Sequence, residues 1–391
     1  MNYEKLTNPT LQRLKPSGIR KFFDIANEME DVITLSIGEP DFSTPWHIRQ
    51  EGIRSLEKGK TWYTANAGLL RLRQAIGGYV RRHSGVEYEP QTEILVTAGG
   101  SEAIDLCLRS LVCPGDEVLI PQPSFVCYEP LTVMAGGTAV PIVTKAEDGF
   151  RLTAEALRAS LTPRTKLLVL PYPNNPTGGV MRREHLEAIA DVLRDTDVMV
   201  LSDEIYSGLT YGGCSHVSIA SLPGMRERTV LVEGFSKSFA MTGWRLGYAC
   251  APAPVMHLML KLHQFALMCA PTTAQYAAIE AMDNGDEDVE RMRADYDVRR
   301  RFIVDELNKM GLTCFEPEGA FYVFPSVKVT GMTSDAFCES LLREKRVAVV
   351  PGTAFGDCGE GYVRISYCYS LKHIAEAMHR MRAFVEEHAG R

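Results

Sequence analysis

The sequence predicts an α/β protein made of two parts: a large domain with a mostly parallel sheet flanked by helices, and a smaller α+β domain. Three observations lead to this prediction. The chain has 391 residues, more than one ordinary domain contains. Between about residues 92 and 250, short apolar runs alternate with helical patterns. From about residue 287, a long charged helix pattern is followed by shorter strand patterns.

The large domain is predicted over residues 46–286. Its strand candidates are the runs EILVTA, EVLIP, AVPIV, KLLVLP, VMVLSD and TVLVEG. Helix patterns separate these runs; over 101–112, for example, one face carries Ile104, Cys107, Leu108 and Leu111. Strands that alternate with helices favour a parallel sheet.

The smaller domain is predicted to combine residues 1–45 with residues 287–391. Its C-terminal part begins with the helix pattern DEDVERMRADYDVRRRFIVDELNKMG, which ends at Gly311, a residue type common after helix C-termini. The strand patterns AFYVFP and YVRISY follow, and an amphipathic helix is predicted near 371–388. We expect the first 45 or so residues to pack against this part.

Composition restricts the class of protein and its partners. A content of 45% hydrophobic and 23% charged residues is typical of soluble globular proteins. The net charge is −7 and no block of Lys and Arg is present, so neither nucleic acid nor an anionic membrane is an expected partner. The N-terminus lacks the apolar segment of a secretory signal, and charged residues interrupt the long apolar runs. The ten cysteines stand singly, so we expect no metal site and no disulfides, but reduced thiols in a cytoplasmic protein.

Polar residues follow the predicted strands at the positions where open parallel sheets bind ligands. After EILVTA, the run GGSEA contains Gly100, Ser101 and Glu102. Two glycines before a helix N-terminus form the outline of a phosphate site. Two other interpretations fit the same run. The serine can cap the helix, or it can be the nucleophile of a serine hydrolase, because the run differs from G-x-S-x-G only at Ala103.

The next two strand ends carry an amide and an acid. After KLLVLP, the run YPNNPTGG contains Asn175, which is either a ligand-binding residue or part of a turn. The run VMVLSD ends in Asp203, and Tyr206 follows closely. This carboxylate either holds a cationic group of a ligand or caps the following helix.

The run GFSKSFAMTGWRLG, which follows TVLVEG, places two cations among small and apolar residues. Burial lowers the pKa of a lysine such as Lys237, and a neutral amine forms imines with aldehydes. Arg245 offers a planar fork suited to phosphate. The alternative is a helix whose lysine reaches the surface. Together, the four strand ends predict a pocket for an aromatic aldehyde with a phosphate, a ring nitrogen and a phenolic oxygen, which describes pyridoxal 5′-phosphate.

With these motifs in place, the sequence resembles the fold-type I, class I/II aminotransferases that depend on pyridoxal phosphate. It is most similar to the bacterial and archaeal branch that acts on aromatic amino acids or aspartate. The resemblance covers essentially the whole chain, from SGIRKFFD and LSIGEPDF to PGTAFG and GEGYVRISY. The stretch around Lys237 fits the attachment-site signature of the family at every position.

The resemblance implies a role for each residue at the cofactor. Lys237 would hold the cofactor covalently and carry the proton between the substrate Cα and the cofactor. Asp203 would pair with the ring nitrogen, and Tyr206 and Asn175 would bind the phenolic oxygen. Phe125 would stack on the ring. The phosphate would be bound by the following residues: Gly100, Ser101, Glu102, Ser236 and Arg245 of one subunit, with Tyr63 of its neighbour. The shared site implies a homodimer.

The resemblance also implies how the substrate is bound. Arg364, in YVRISY, would hold the substrate carboxylate as a bidentate partner, with Gly38 and Asn175 beside it. An arginine on the polar face of a strand is otherwise most often solvated. Arg20 is a candidate for a distal carboxylate, and Phe22 and Phe23 would suit an aromatic side chain or simply pack an N-terminal helix.

The predicted function is transfer of the amino group of an L-amino acid, aromatic or else aspartate, to a 2-oxo acid such as 2-oxoglutarate. Two alternatives stay open at this point. The same residues serve carbon–sulfur and related lyases, and Ser101 could serve a serine hydrolase. The sequence does not specify the physiological donor, or which residue recognises its side chain.

Overall fold

The computed structural model describes residues 1–14, 16, 18 and 29–388 of the chain. In this part of the chain the strands are β1 (Ile33–Thr34), β2 (Ile94–Thr97), β3 (Glu117–Gln122), β4 (Thr138–Val143), β5 (Thr165–Leu170), β6 (Met199–Asp203), β7 (Thr229–Gly234), β8 (Gly247–Cys250), β9 (Tyr322–Val323), β10 (Val347–Ala348), β11 (Val350–Pro351) and β12 (Val363–Ser366).

The described α-helices surround these strands. They are α1 (Pro9–Arg13), α2 (Trp46–Glu57), α3 (Leu70–Ser84), α4 (Gly100–Leu111), α5 (Tyr128–Met134), α6 (Ala154–Ser160), α7 (Arg183–Leu193), α8 (Ala253–Ala266), α9 (Thr272–Asn284), α10 (Asp286–Lys309), α11 (Ser334–Lys345) and α12 (Leu371–His388). Within the described ranges, none of them has both the length and the apolar character needed to cross a bilayer.

A seven-stranded sheet forms the centre of the larger part, in the order β2-β8-β7-β6-β5-β3-β4. The six apolar runs of the sequence form β2 to β7. Residues of β2, β3, β5, β6 and β7 are mostly buried because helices cover both faces of the sheet, whereas in the edge strand β4 only Ile142 is buried. Strand β8 was not predicted from the sequence. It runs antiparallel to both its neighbours, β2 and β7, whereas the other pairs in the sheet are parallel. The predicted α/β class is confirmed.

Smaller sheets lie in the C-terminal part of the chain. Strand β1 pairs in parallel with β10, and β12 lies between β11 and β9 in an antiparallel sheet. One apolar core joins Leu35, from the N-terminal segment, with residues of α10, α11 and α12. The same core also includes Tyr206, Leu209, Tyr211 and Ala240 from the larger part, so the division at residues 46 and 287 stays a prediction.

Chain direction brings the site residues to one edge of the central sheet. Strands β2, β3, β5, β6 and β7 point the same way, so their carboxyl ends meet at that edge. Helix α4 begins there immediately after β2. A Cβ on Gly247, the first residue of β8, would lie 2.6 Å from the backbone nitrogen of Gly100, so only a glycine lets β8 and the start of α4 approach this closely.

Candidate active site

A cavity of about 790 Å³ opens at this edge of the sheet. Its lining includes every predicted site residue except Glu102 and Tyr63: Gly38, Gly100, Ser101, Phe125, Asn175, Asp203, Tyr206, Ser236, Lys237, Arg245 and Arg364. The structure therefore brings together residues that lie more than 300 positions apart in the sequence, as the hydrogen bond from Arg364 to Ser36 illustrates.

Lys237 lies in a turn after β7, partly buried in the cavity wall, so the alternative of a surface lysine on a helix is wrong. Its Nζ donates a hydrogen bond of 2.7 Å to the carbonyl oxygen of Gly38. Burial disfavours the ammonium form and lowers the pKa of Lys237 to about 8, with the nearby charges of Arg364 and Arg245 contributing. The neutral, nucleophilic fraction of this amine near neutral pH is therefore far larger than that of an ordinary lysine.

Asp203 ends β6 as a buried carboxylate. Its Oδ2 accepts a hydrogen bond of 2.7 Å from the Tyr128 hydroxyl, and its Oδ1 accepts a longer one from the backbone of Ile205. Burial raises the pKa of Asp203 to about 6, against the opposing effect of these hydrogen bonds. No helix follows directly, so Asp203 is not a helix cap. The carboxylate would stabilise a cationic group at this position, and the cationic group would in turn favour the charged form of Asp203.

Arg364 lies on β12 and is 3% exposed, so its side chain is not solvated. Its Nη1 donates a hydrogen bond of 3.0 Å to Asn175 Oδ1, and its Nη2 donates to the carbonyl oxygen of Ser36. Its Nε is buried without a protein partner. Its partners among the described residues are neutral, and a buried cation without a negatively charged partner is unfavourable, so this guanidinium is suited to an anionic ligand.

Asn175 is held by this contact and not by turn chemistry. In the turn after β5 it is Asn174 whose side chain accepts the backbone N–H of Thr177. Because Asn175 Oδ1 accepts from Arg364, its amide NH₂ is left as the group that can donate to a ligand.

The N-terminus of α4 and Arg245 lie beside each other at one end of the cavity. The helix N-cap is Gly99, without a side-chain cap, so Ser101 is not the capping residue. Gly99 has a φ of 89°, and a Cβ there would lie 2.9 Å from Arg245 Nη2. Glycine thus permits both the turn and the contact. Unpaired N–H groups and a guanidinium at one place make an anion-binding site.

The sequence profile of the family described as "Aminotransferase class I and II" matches residues 30–381. The chain belongs to this family. An aspartate aminotransferase of Pyrococcus abyssi (strain GE5 / Orsay) is 46% identical over 96% of this chain and 97% of its own length. The aromatic-amino-acid aminotransferase 2 of Thermococcus litoralis is 45% identical over the same shares. The crystal structure of an aromatic aminotransferase from Pyrococcus horikoshii OT3 superimposes with a TM-score of 0.90, at 46% identity, over 94% of this chain and 99% of that one.

The aminotransferase depends on pyridoxal phosphate and transfers amino groups between amino acids and 2-oxo acids, as the family and these relatives establish. The cavity fits that cofactor by its own chemistry. It offers a low-pKa amine in Lys237, a buried carboxylate in Asp203 and an anion site at the start of α4. The serine hydrolase alternative has no support, because no histidine is found among the described residues that line the cavity.

Two predicted residues of the aminotransferase lie outside the cavity lining. The carboxylate of Glu102 accepts from the backbone N–H of Ala98 and bonds His263, which leaves only its backbone amide for a ligand. The side chain of Tyr63 is 76% exposed. The predicted side-chain contacts Arg20, Phe22 and Phe23 lie outside the described residues.

Sequence reasoning missed two tyrosines of the aminotransferase cavity. Tyr128 donates to Asp203, and the Tyr322 hydroxyl lies 2.9 Å from that of Tyr206. Both stand in runs that read as buried core, and both are indeed almost fully buried. Only the hydroxyl group of each tyrosine indicates a role in the site, and a hydroxyl group does not alter the hydrophobic pattern from which buried elements are predicted.

Proposed function

We propose that this aminotransferase takes the amino group preferentially from an aromatic L-amino acid, with aspartate as a second donor, and passes it to a 2-oxo acid such as 2-oxoglutarate. The guanidinium of Arg364 lines the same cavity as Lys237 and Asp203, and among the described residues it has no carboxylate partner; this is the observation that carries the proposal. We assign the substrate α-carboxylate to Arg364, because a carboxylate would complete the hydrogen bonding of the guanidinium.

The roles of the surrounding residues follow from their chemistry. When bound, pyridoxal phosphate supplies an electron-poor ring that stabilises negative charge at the substrate Cα. We assign Lys237 Nζ to cofactor attachment and to moving the proton of Cα. Asp203 would hold a proton on the ring nitrogen, and the Tyr206 hydroxyl and the Asn175 amide would donate to the phenolic oxygen. Phe125 would pack on the ring.

Phosphate binding is assigned to the group around the start of α4. The backbone N–H groups of Gly100, Ser101 and Glu102 are free of intrahelical partners at this position. Ser236 and Arg245 line the same cavity. A dianion placed here would interact with the helix dipole and with a guanidinium at once, which supports the assignment.

The preference for an aromatic donor is supported by the cavity wall. Apart from Lys237, the cationic side chains among its described lining residues are Arg245 and Arg364, both assigned to other groups. Among the described residues that line the cavity, no further cation is left to pair with a distal carboxylate. Apolar side chains such as Ile37 and Val126 also line the cavity. The names of the relatives, some aromatic and some aspartate, support both donors.

A homodimer with shared sites is part of the proposal. Trp62 and Tyr63 are 62% and 76% exposed, and the Trp62 carbonyl accepts from Thr272. In the same region the Met268 carbonyl accepts from Asn66, and Met268 is itself 43% exposed. An exposed apolar area of this kind is typical of a protein–protein interface. A second copy would cover it and bring its Tyr63 to the phosphate.

We also propose a reducing, cytoplasmic location. All ten cysteines are free, and half of them are buried without a cysteine partner. Buried unpaired thiols are typical of proteins from reducing compartments.

The visible spectrum of the purified holoenzyme tests this function. Phenylalanine, tyrosine, aspartate and alanine are added in turn, followed by 2-oxoglutarate. We expect the cofactor band to bleach fastest with an aromatic donor and to return with the 2-oxo acid. Release of ammonia without an acceptor would indicate a lyase instead, and bleaching by aspartate alone would overturn the aromatic preference.

A further inference from the structure

Tyr322 contacts three of the residues that line the cavity. It belongs to β9, whose pairing with β12 sets it opposite Ser366, two residues from Arg364. The Tyr322 hydroxyl oxygen lies 2.9 Å from the hydroxyl oxygen of Tyr206. The centroid of its ring lies 4.6 Å from Arg364 Cζ. The side chain is 1% exposed, and the exposed part faces the cavity.

The third contact, with Gly38, shows that space is reserved for the hydroxyl. A Cβ on Gly38 would lie 1.8 Å from the Tyr322 oxygen, which no real contact permits. The carbonyl of the same glycine accepts the hydrogen bond from Lys237. Phenylalanine stands at the neighbouring position 321, where it packs with Tyr206 without any polar group.

Counting protons leaves two arrangements of this hydrogen-bonded pair, because either hydroxyl can be the donor. Burial raises the pKa of Tyr322 to about 12, and it raises the pKa of Tyr206 well above 10, so both hydroxyls are protonated at neutral pH. The pair has two protons, and the hydrogen bond between the two oxygens uses one. If Tyr322 is the donor, the proton of Tyr206 is left to donate to a ligand. If Tyr206 is the donor, its proton is already used within the protein.

We propose that Tyr322 is a positioning residue: its hydroxyl donates to Tyr206 and thereby directs the Tyr206 proton toward the phenolic oxygen of the cofactor. The inference rests on the proposed role of Tyr206. Tyr322 would act on the cofactor only through Tyr206, because its own side chain is held between Tyr206, Arg364 and Gly38. Donation from Tyr322 also polarises the Tyr206 hydroxyl, which strengthens the hydrogen bond that Tyr206 would donate to the cofactor.

The charged and titratable groups that act on this pair lie on β6, on β12 and in the segment that follows β12. Asp203 lies at the end of β6, Arg364 lies on β12 and Cys368 follows β12. None of them bonds either hydroxyl among the described residues. A change at Tyr322 that keeps its ring therefore leaves these groups where they are.

The test is a pH titration of the visible band of the holoenzyme in four variants: Tyr322→Phe, Tyr206→Phe, the double variant and Tyr296→Phe. A hydrogen bond to the phenolic oxygen favours the more negative, deprotonated form of the bound cofactor, so losing it raises the pH midpoint. We expect Tyr206→Phe to raise the midpoint most and Tyr322→Phe to raise it by about half a unit, because one hydrogen bond modulates its neighbour only in part. The double variant should match Tyr206→Phe, since Tyr322 acts through Tyr206.

Tyr296→Phe is the matched control. Tyr296 is fully buried in the same apolar core, its hydroxyl has no hydrogen-bond partner in the described part of the chain, and it does not line the cavity. Its removal should leave the midpoint unchanged. We also expect Tyr322→Phe to lower kcat with KM for amino donors within about twofold, because the ring under Arg364 is retained.

Three results would overturn the inference: an unchanged or lowered midpoint in Tyr322→Phe, a shift that adds in full to that of Tyr206→Phe, or an equal shift in Tyr296→Phe. A rise in KM with an unchanged midpoint would give Tyr322 a structural role at Arg364 instead. Failure of the proposed function is distinguishable. In that case the cofactor band of the unaltered enzyme would not bleach with any amino donor, or Tyr206→Phe would leave the pH midpoint of the band unchanged.

Discussion

Replacing Arg364 by lysine keeps a positive charge in the cavity and removes the planar fork. In the structure, two guanidinium nitrogens bond Asn175 and the Ser36 carbonyl, while Nε has no partner. The group is held between the rings of Tyr322 and Phe355, with centroids 4.6 and 4.8 Å from Cζ. This fixed orientation suits a planar carboxylate, and a flexible ammonium does not reproduce it.

The size of the effect follows from the hydrogen bonds that are lost. A carboxylate can accept two parallel bonds from a guanidinium, whereas a lysine Nζ supplies one in a comparable position. A hydrogen bond to a charged group contributes about 1.5–3 kcal/mol. Loss of one such bond predicts a fall in kcat/KM of about 10- to 150-fold. Because every amino donor has the α-carboxylate, the fall should be similar for phenylalanine, aspartate and alanine.

Steady-state kinetics of these three donors with 2-oxoglutarate would measure the effect. Arg300→Lys is the matched control, since Arg300 is as buried as Arg364 but pairs with Asp297 and Glu316 outside the cavity lining. We expect the control to keep its kcat/KM. A fall confined to one donor would refute the reasoning and assign Arg364 to side-chain recognition.

Three further predictions concern other parts of the chain. Lys237→Ala should abolish turnover while the cofactor still binds reversibly, which absorbance after gel filtration detects; normal turnover would contradict its assigned role. Asp203→Asn removes a charged partner of the ring nitrogen and should lower kcat by roughly 100-fold. An unchanged kcat would contradict the assigned pairing of Asp203 with the ring nitrogen. His47 bonds Glu280 and Asp288; burial alone would lower its pKa, but these partners raise it above 6.5. A group whose pKa is higher in the folded than in the unfolded protein stabilises the folded state at pH values below its unfolded-state pKa. This stabilisation is lost as the pH rises through the folded-state pKa. The melting temperatures of the unaltered protein and of His47→Gln should therefore differ at pH 6 and converge above the folded pKa; a constant difference would contradict this.

The central sheet could be predicted from the sequence because its strands are buried on both faces. Such strands read as continuous apolar runs, and helix patterns separate them. Strand β8 was missed for a physical reason. The run GYAC has four residues, begins with the glycine that α4 requires, and follows the irregular segment that contains Lys237 and Arg245. Its antiparallel direction depends on where that turn leads, which no local pattern encodes.

The site was predictable where chemistry and strand ends coincide, as at Asp203 and Lys237. Arg364 required the family resemblance, because a single arginine in a strand normally indicates solvent. Tyr322 lies on the same small sheet, and its run AFYVF indicates only a buried strand. Its contact with Tyr206 joins residues 116 positions apart. Long-range contacts of this kind depend on tertiary packing and leave no local periodicity.

The pairing of β1 with β10 also has a consequence for biosynthesis. Ile33 pairs with Val347, so 314 residues (347 − 33) separate the partners. At about 5–20 residues per second, a ribosome takes roughly 15 to 60 s to make the second partner after the first. During that interval the apolar residues of the N-terminal segment have no strand to join, and Gly38 cannot be held in place against Tyr322. The central sheet is translated earlier and can form first, so each new molecule acquires its sheet well before it acquires a complete active site.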